Sequence, residues 1–275
     1  MGVLMSDFLQ FEFLQLALIG SIILSVLSGL LSPLVVAKEH AFIGSALSHS
    51  TLLGVALSLS LVEASNSLGL FASTFAITWI MVMILGTATY KEKLPSDALI
   101  GIFLTSTMGL AVGIHQTFST GSSDLMSYLF GQIILLDRMD ILLSFMALGL
   151  TFPIIWGRRH YWQIFLFDPQ GANLMGLPIK RYHYLFYTLI ALFIVVGVKL
   201  CGTIMINSLL LAPGIFALKR AKTLKGTFLL GITFSLVSTV AGLIFANLWD
   251  LPPGATIAVA HLLGLILAGA KQKVS

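Results

Sequence analysis

Apolar runs of membrane-crossing length recur through this chain at 13–37, 42–62, 68–89, 97–117, 139–157, 183–200, 203–217, 226–248 and 255–270. A hydrocarbon core about 30 Å thick takes roughly 20 helical residues to cross, and backbone polar groups inside it must be paired within the element. The expected fold is therefore an all-α integral membrane protein, a polytopic bundle of about eight to nine transmembrane helices. Charged residues make up only 9% of the 275, against about 25% in soluble domains, and no stretch between the runs is long enough for a soluble domain. Residues 1–275 read as one transmembrane domain. The run at 13–37 is too long for a signal-peptide core and lacks a basic flank before it, so it reads as a retained span. The fifteen residues at 203–217 are the shortest run. They either cross with a tilt or enter as a half span, and Pro213 is expected to break them.

Orientation follows from the lysines and arginines. With the first run ending in the cytoplasm, thirteen of the fifteen lie in cytoplasmic loops or at the C-terminus, and only Arg138 and Lys199 lie outside. The positive-inside bias then places the N-terminus outside and the C-terminus in the cytoplasm. Basic residues distributed in this way report topology, so the net charge of +4 gives no reason to expect nucleic acid as a partner.

The stretch Lys38–Gly54, KEHAFIGSALSHSTLLG, carries the most unusual chemistry. His49 falls about two and a half turns into an apolar helix, where an ionisable ring is costly and commonly marks a path for ions. Ser45 lies four residues before it and shares its face, so the pair could hold one ion. A second reading leaves His49 as a hydrogen-bonding residue between helices. Ala46, Ser50 and Gly54 form a small-residue stripe suited to close helix contact, and Gly101, Thr105, Gly109 and Gly113 predict a packing seam on the fourth run. His261 and His115 read as packing or hydrogen-bonding residues. The stretch Ser122–Leu136 is apolar but short, with acidic flanks, and reads as a surface or re-entrant segment.

The longest polar interval is 160–183, HYWQIFLFDPQGANLMGLPIKRYH. Within it Asp168 can cap a short helix, Pro169 suits its first turn and Gly176 can end it. Leu174 and Met175 would then be exposed as a docking element for another protein. The alternative is a loop lying on the bilayer. No G-x-x-x-x-G-K-[ST] occurs, so any use of ATP belongs to another subunit. The absence of H-E-x-x-H, C-x-x-C and G-x-S-x-G, with a single cysteine at Cys201, speaks against an enzyme and against a permanently bound cofactor.

Several stretches together resemble the permease subunit of bacterial ABC-3 transporters for zinc, manganese or iron. AFIGSALSHSTLLGVAL resembles the second-span signature F-x-G-D-A-L-A-H-A-x-L-L-G-V. DLMSYLFGQIILLDRMDI is similar to the outer segment of that family, and DPQGANLMGLPIKRYH to its coupling motif D-x-x-x-A-x-x-x-G. LPSDALIGIFLTST, KLCGTIMINSLLLAPGIFA and WDLPPGATIAV resemble the flanks and spans that follow in the same order.

The resemblance implies an importer of divalent metal ions in the bacterial inner membrane. The permease would pair with a second copy or a similar permease, lie on a cytoplasmic ATP-binding subunit, and be fed by an extracytoplasmic metal-binding protein. His49 and Ser45 fall on the metal path, and Asp168, Ala172 and Gly176, followed by Lys180 and Arg181, on the segment coupled to the ATPase. Ser45 stands where the family usually has aspartate. Two alternatives remain: a permease for a metal chelate such as a siderophore or cobalamin, and a proton-driven secondary carrier working through His49 or His261.

Overall fold

The computed structural model of this chain describes residues 12–38, 42–62, 66–90, 96–118, 131, 136–167 and 169–270. All regular structure among them is helical: α1 (Glu12–Ala37), α2 (Ile43–Leu61), α3 (Ser67–Tyr90), α4 (Ser96–Phe118), α5 (Arg138–Gly157), α6 (Arg159–Phe167), α7 (Pro169–Leu174), α8 (Ile179–Arg220), α9 (Leu224–Trp249) and α10 (Pro253–Ala270). Seven of these helices have the length and hydropathy to cross a membrane, and α10 adds a shorter apolar one. The all-α polytopic bundle is as expected from the apolar runs.

The 42 residues of α8 are two helices, not one. Gly202 has φ 78 and ψ 167, a region essentially closed to residues with a Cβ. Contacts with α1 give the direction on each side of it. Before Gly202, Leu200 faces Gly20 and Gly197 faces Leu24; after it, Leu209 meets Ser28 and Gly214 meets Ser32. The first half thus runs antiparallel to α1 and the second half parallel to it, so the chain reverses at Gly202. The described bundle then has nine membrane-length or near-membrane-length rods. The eighteen residues of the second half rise about 27 Å, close to a full crossing.

The expected break at Pro213 is not observed, because the helix continues through it to Arg220. Proline removes the bond to the carbonyl four residues earlier, here Leu209. The Ser28 hydroxyl of α1 donates to that carbonyl at 2.6 Å, and the Ser32 hydroxyl accepts from Gly214 N at 2.7 Å. Side chains of one helix thereby repair the backbone of its neighbour, as a hydrocarbon environment demands.

α1 and α8 form the centre of the bundle, with 83% of the α8 span buried. In the α1 span 78% of residues are buried, against 17% for α4 at the periphery. Ser21, Ser25, Ser28 and Ser32 line the buried seam of α1, and Gly29 lies against the backbone of Gly231 and Ile232 in α9. Small residues at these positions let helix backbones approach where lipid offers no hydrophobic drive for association. The stripe Gly101, Gly109, Gly113 on α4 behaves otherwise. A Cβ at any of the three would meet nothing within 4 Å, and Thr105 is exposed. That face packs against no described part of this chain.

Two charged contacts gather the helix ends where α1 starts. Arg138 pairs with Glu12 at 2.8 Å, and Lys199 with Asp140 at 2.5 Å. Asp137 and Asp140 form a reciprocal capping box at the start of α5, which satisfies two orphan backbone donors. Most of Ser122–Leu136 lies outside the described residues. Gly131, with φ 86, fits against the reversal, since a Cβ there would come within 2.5 Å of the Cys201 carbonyl carbon.

Candidate functional site

The site is built on α2, which packs against α3, α4 and α8. At Gly54 a Cβ would meet Thr78 Oγ1 at 2.5 Å and Thr74 O at 3.1 Å, so α2 and α3 touch almost backbone to backbone. Ala46 and Ser50 are fully buried. The small-residue stripe predicted on this helix is a real contact face.

Around the candidate pair the burial pattern is selective. Gly44, Ala46, Leu47, Ser48 and Ser50 are buried, while Ser45 and His49 are both half-exposed. One narrow face of the helix is thus open where the rest is packed. His49 Nδ1 is buried and has no hydrogen-bond partner among the described residues. A satisfied bridging histidine would have one. With Nδ1 enclosed, any ligation of a metal from the open side would fall to the other ring nitrogen.

A third polar side chain borders this turn, and the sequence reading passed over it. Asn207, in the second half of α8, is half-exposed, and its Oδ1 lies 3.4 Å from Ser48 Oγ. The same Ser48 hydroxyl donates to Ser45 O at 3.0 Å. A Cβ on Gly44 would come within 3.3 Å of Asn207 Oδ1, so glycine makes the room that the carboxamide fills. The signal in the sequence is a lone asparagine in the apolar run TIMINSLLLAP.

One to two turns further along α2, a cavity of about 30 Å³ separates it from α3 and α8. Thr51, Ser67, Thr74 and Lys199 contribute its polar lining, and the Thr74 hydroxyl is buried without a partner. The space suits a single water. Beyond it sits the Lys199–Asp140 pair, with the Asp137 carboxylate accepting from Ser67 Oγ at 3.2 Å.

Two further histidines in the apolar runs, His261 and His115, are placed differently. His261 is fully buried, shares a hydrogen bond with Ile257 O through Nδ1 at 2.9 Å and stands edge-on to Phe234. Its Nε2 is buried without a hydrogen-bond partner among the described residues. His115 is half-buried in the last turn of α4. Among the described residues no three His, Cys, Asp or Glu side chains converge in a way that would hold a metal. Among the described residues, the one strong donor at this open face is His49.

The polar interval contains more structure than expected. Asp168 lies outside the described residues. The short helix α7 is six residues long and ends as predicted at Gly176, whose φ is 70, with Leu177 N donating to Ala172 O at 3.0 Å. That bond and the left-handed glycine make a Schellman closure. Ala172 is buried, whereas Leu174 and Met175 are 91% and 70% exposed. Lys180 and Arg181 are exposed in the first turn of α8.

Preceding α7, α6 was missed by the sequence reading. Trp162, Phe165 and Leu166 are buried at the i, i+3, i+4 spacing of an amphipathic helix. Trp162 donates through Nε1 to Ile154 O at 3.2 Å and meets Tyr182 edge-on at 5.3 Å. Lys38 stands 4.1 Å over the Phe165 ring. These contacts anchor α6 to α1, α5 and α8, so the interval is not a loose surface loop.

The model of the ABC 3 transport family matches residues 10–272. The chain is similar to the manganese import system permease protein ScaB of Streptococcus gordonii, at 30% identity over 94% of this chain and 93% of that protein. It is also similar to the high-affinity zinc uptake system membrane protein ZnuB of Haemophilus influenzae, at 28% identity over 96% and 99%. Among solved structures, PsaBC from Streptococcus pneumoniae in complex with Fab superposes with a TM-score of 0.85 at 27% identity, covering 97% of this chain and 94% of that one.

Proposed function

This chain belongs to the ABC 3 transport family, and we propose that it is the membrane-spanning subunit of an ATP-driven importer of a divalent transition-metal ion, with His49 on the translocation path. The observation that carries this reading is the half-exposed His49 imidazole on a helix packed on either side of it. Relatives whose names state manganese and zinc transport, matched over nearly their whole length, support the substrate class.

Transit requires an ion to be held and then released. Imidazole is a good ligand for zinc or iron, and oxygen donors suit manganese. Ser45 supplies only a neutral hydroxyl, so the site balances little of the ion's charge and holds it loosely. A second copy of the chain, or a similar permease, would add a second imidazole. Selectivity then rests largely with the extracytoplasmic metal-binding protein that delivers the ion.

Residues 1–275 serve as one transmembrane unit, with 160–183 as the segment that meets the ATP-binding subunit. Asp168, Ala172 and Gly176 belong to the docking helix, and exposed Leu174 and Met175 provide its apolar contact. Lys180 and Arg181 stand at the N-terminus of a helix, where positive charge is unfavourable. Acidic groups on the ATP-binding subunit would offset that. In this reading the α6–α7 end faces the cytoplasm and the Lys199–Asp140 end faces outward. A label at Lys222 that reacts only after permeabilisation fits this orientation; reaction from outside reverses it.

The deciding experiment is uptake of zinc, manganese and iron by the complex reconstituted with its ATP-binding subunit and metal-binding protein. His49→Ala should abolish uptake, and Ser45→Asp should be tolerated and tighten binding. Normal uptake by His49→Ala would remove α2 from the path.

A further inference from the structure

We infer that Asn207 is a third donor of the transit site, and that its carboxamide oxygen favours manganese over zinc; the inference rests on the reading of His49 as a transit ligand.

Asn207 is a polar residue in an apolar helix. Its neighbours Met205, Ile206, Leu209 and Leu210 are buried, while Asn207 itself is half-exposed beside α2. Among the described residues its one hydrogen-bond contact is with Ser48 Oγ at 3.4 Å, beyond the usual range for a bond between these atoms. Ser48 has a single proton to give, and the Ser45 carbonyl at 3.0 Å is the nearer acceptor. The two lone pairs of the Asn207 oxygen are therefore poorly used. A packing role gives no account of a carboxamide where leucine or alanine would serve.

Its location supplies the account. The oxygen lies over Gly44 and Ser48, and Ser45 and His49 follow each of these by one residue on the same two turns of α2. Those two residues are the half-exposed ones. The edge between α2 and the second half of α8 thus carries a half-exposed imidazole, a hydroxyl and a weakly engaged carboxamide oxygen, contributed by two helices.

The chemistry follows from donor type. A carboxamide oxygen is neutral and hard, like the carbonyl and water ligands that suit manganese, while imidazole suits zinc. It adds a donor without the tight hold of a carboxylate, so the ion can still leave. Asn207 therefore broadens a site that His49 and Ser45 alone would bias toward zinc.

The test uses the complex with its ATP-binding subunit and metal-binding protein in vesicles, with the Michaelis constants and maximal rates of Mn²⁺ and Zn²⁺ uptake measured separately. For Asn207→Ala, KM for Mn²⁺ should rise about 10-fold, the scale on which site-supporting residues affect metal affinity. KM for Zn²⁺ should change less, and the maximal rate and ATP hydrolysis should hold. Asn207→Asp should restore the Mn²⁺ KM to the wild-type value or below. Should Asn207→Ala fail to assemble, Asn207→Ser keeps a hydroxyl for Ser48 but is too short to reach the ion, and the same shift is expected of it. Wild-type KM for both metals in these variants, with uptake abolished by His49→Ala, overturns the role of Asn207 alone. Normal uptake by His49→Ala would instead overturn the transit reading on which it depends.

Discussion

The hydroxyl of Ser28 donates to the carbonyl oxygen of Leu209 at 2.6 Å, and Leu209 is the residue whose helical bond Pro213 removes. A proline in a membrane helix exposes a carbonyl that water cannot reach. Here the neighbouring helix supplies the missing donor, and the same serine stands 3.4 Å from Ser235 of α9. α1, the second half of α8 and α9 are tied together at one point.

That arrangement predicts a coupled pair of substitutions. Ser28→Ala strands a buried carbonyl and should cost about 1–3 kcal/mol of stability. Pro213→Ala restores the internal helical bond, so Ser28→Ala should cost markedly less in that background. Thermal unfolding of the four proteins in detergent gives the coupling; equal costs in both backgrounds would show that the Ser28 bond does not compensate for the proline.

At the reversal, Gly202→Ala forces a Cβ into a backbone conformation reserved for glycine, which should cost about 1–3 kcal/mol. Gly101→Ala, on an open face, serves as the control and should be close to neutral. A Gly202→Ala protein as stable as wild type would show that the chain can turn there without the strained conformation.

The Lys199–Asp140 pair is unevenly buried, with side-chain exposures of 30% and 5%. Lys199→Ala leaves the buried carboxylate alone and should cost a few kcal/mol, at or below the ~3–5 kcal/mol of fully buried pairs, because lysine retains solvent. Lys199→Leu combined with Asp140→Leu should be more stable than Lys199→Leu alone. If the double variant is the less stable, the pair contributes more than an apolar contact could.

Asp137 gives a pH dependence with a definite sign. Partial burial of its carboxylate would raise its pKa, but the Asp140 backbone N–H, the charge of Lys199 and the Ser67 hydroxyl outweigh this and hold it below its ordinary 3.8. A depressed native pKa stabilises above the unfolded value and loses that contribution as pH falls through the native one. The unfolding midpoints of wild type and Asp137→Asn should differ by a constant amount from pH 7 to about 5 and converge below about 3.8. Convergence already near neutral pH would mean that another group controls this end.

In the segment proposed to dock on the ATP-binding subunit, Gly176→Pro disrupts a left-handed turn, and charge reversal at Lys180 and Arg181 removes the cations beside it. Each variant should remain in the membrane but hydrolyse ATP without moving metal. Normal transport by both would exclude 160–183 as the coupling element.

The number, order and approximate limits of the membrane helices were legible in the sequence, because each apolar run must satisfy its own backbone in lipid and so forms a helix on local grounds. The i, i+4 spacing likewise placed Ser45 and His49 on one face before any tertiary contact was known, and Gly176 announced the end of α7 through the one conformation that glycine tolerates best. What surrounds each helix could not be read in the same way. Lipid is as apolar as leucine, so hydropathy does not distinguish the buried α1 from the peripheral α4, nor the packed glycine at 54 from the open ones at 101, 109 and 113. Tertiary structure decided that Pro213 would be repaired by Ser28, whereas the turn at Gly202 already lay between the runs 183–200 and 203–217. It also brought Asn207 beside an α2 face more than 150 residues away in the chain. These are relations between surfaces, and they exist only once two helices have chosen each other over the bilayer.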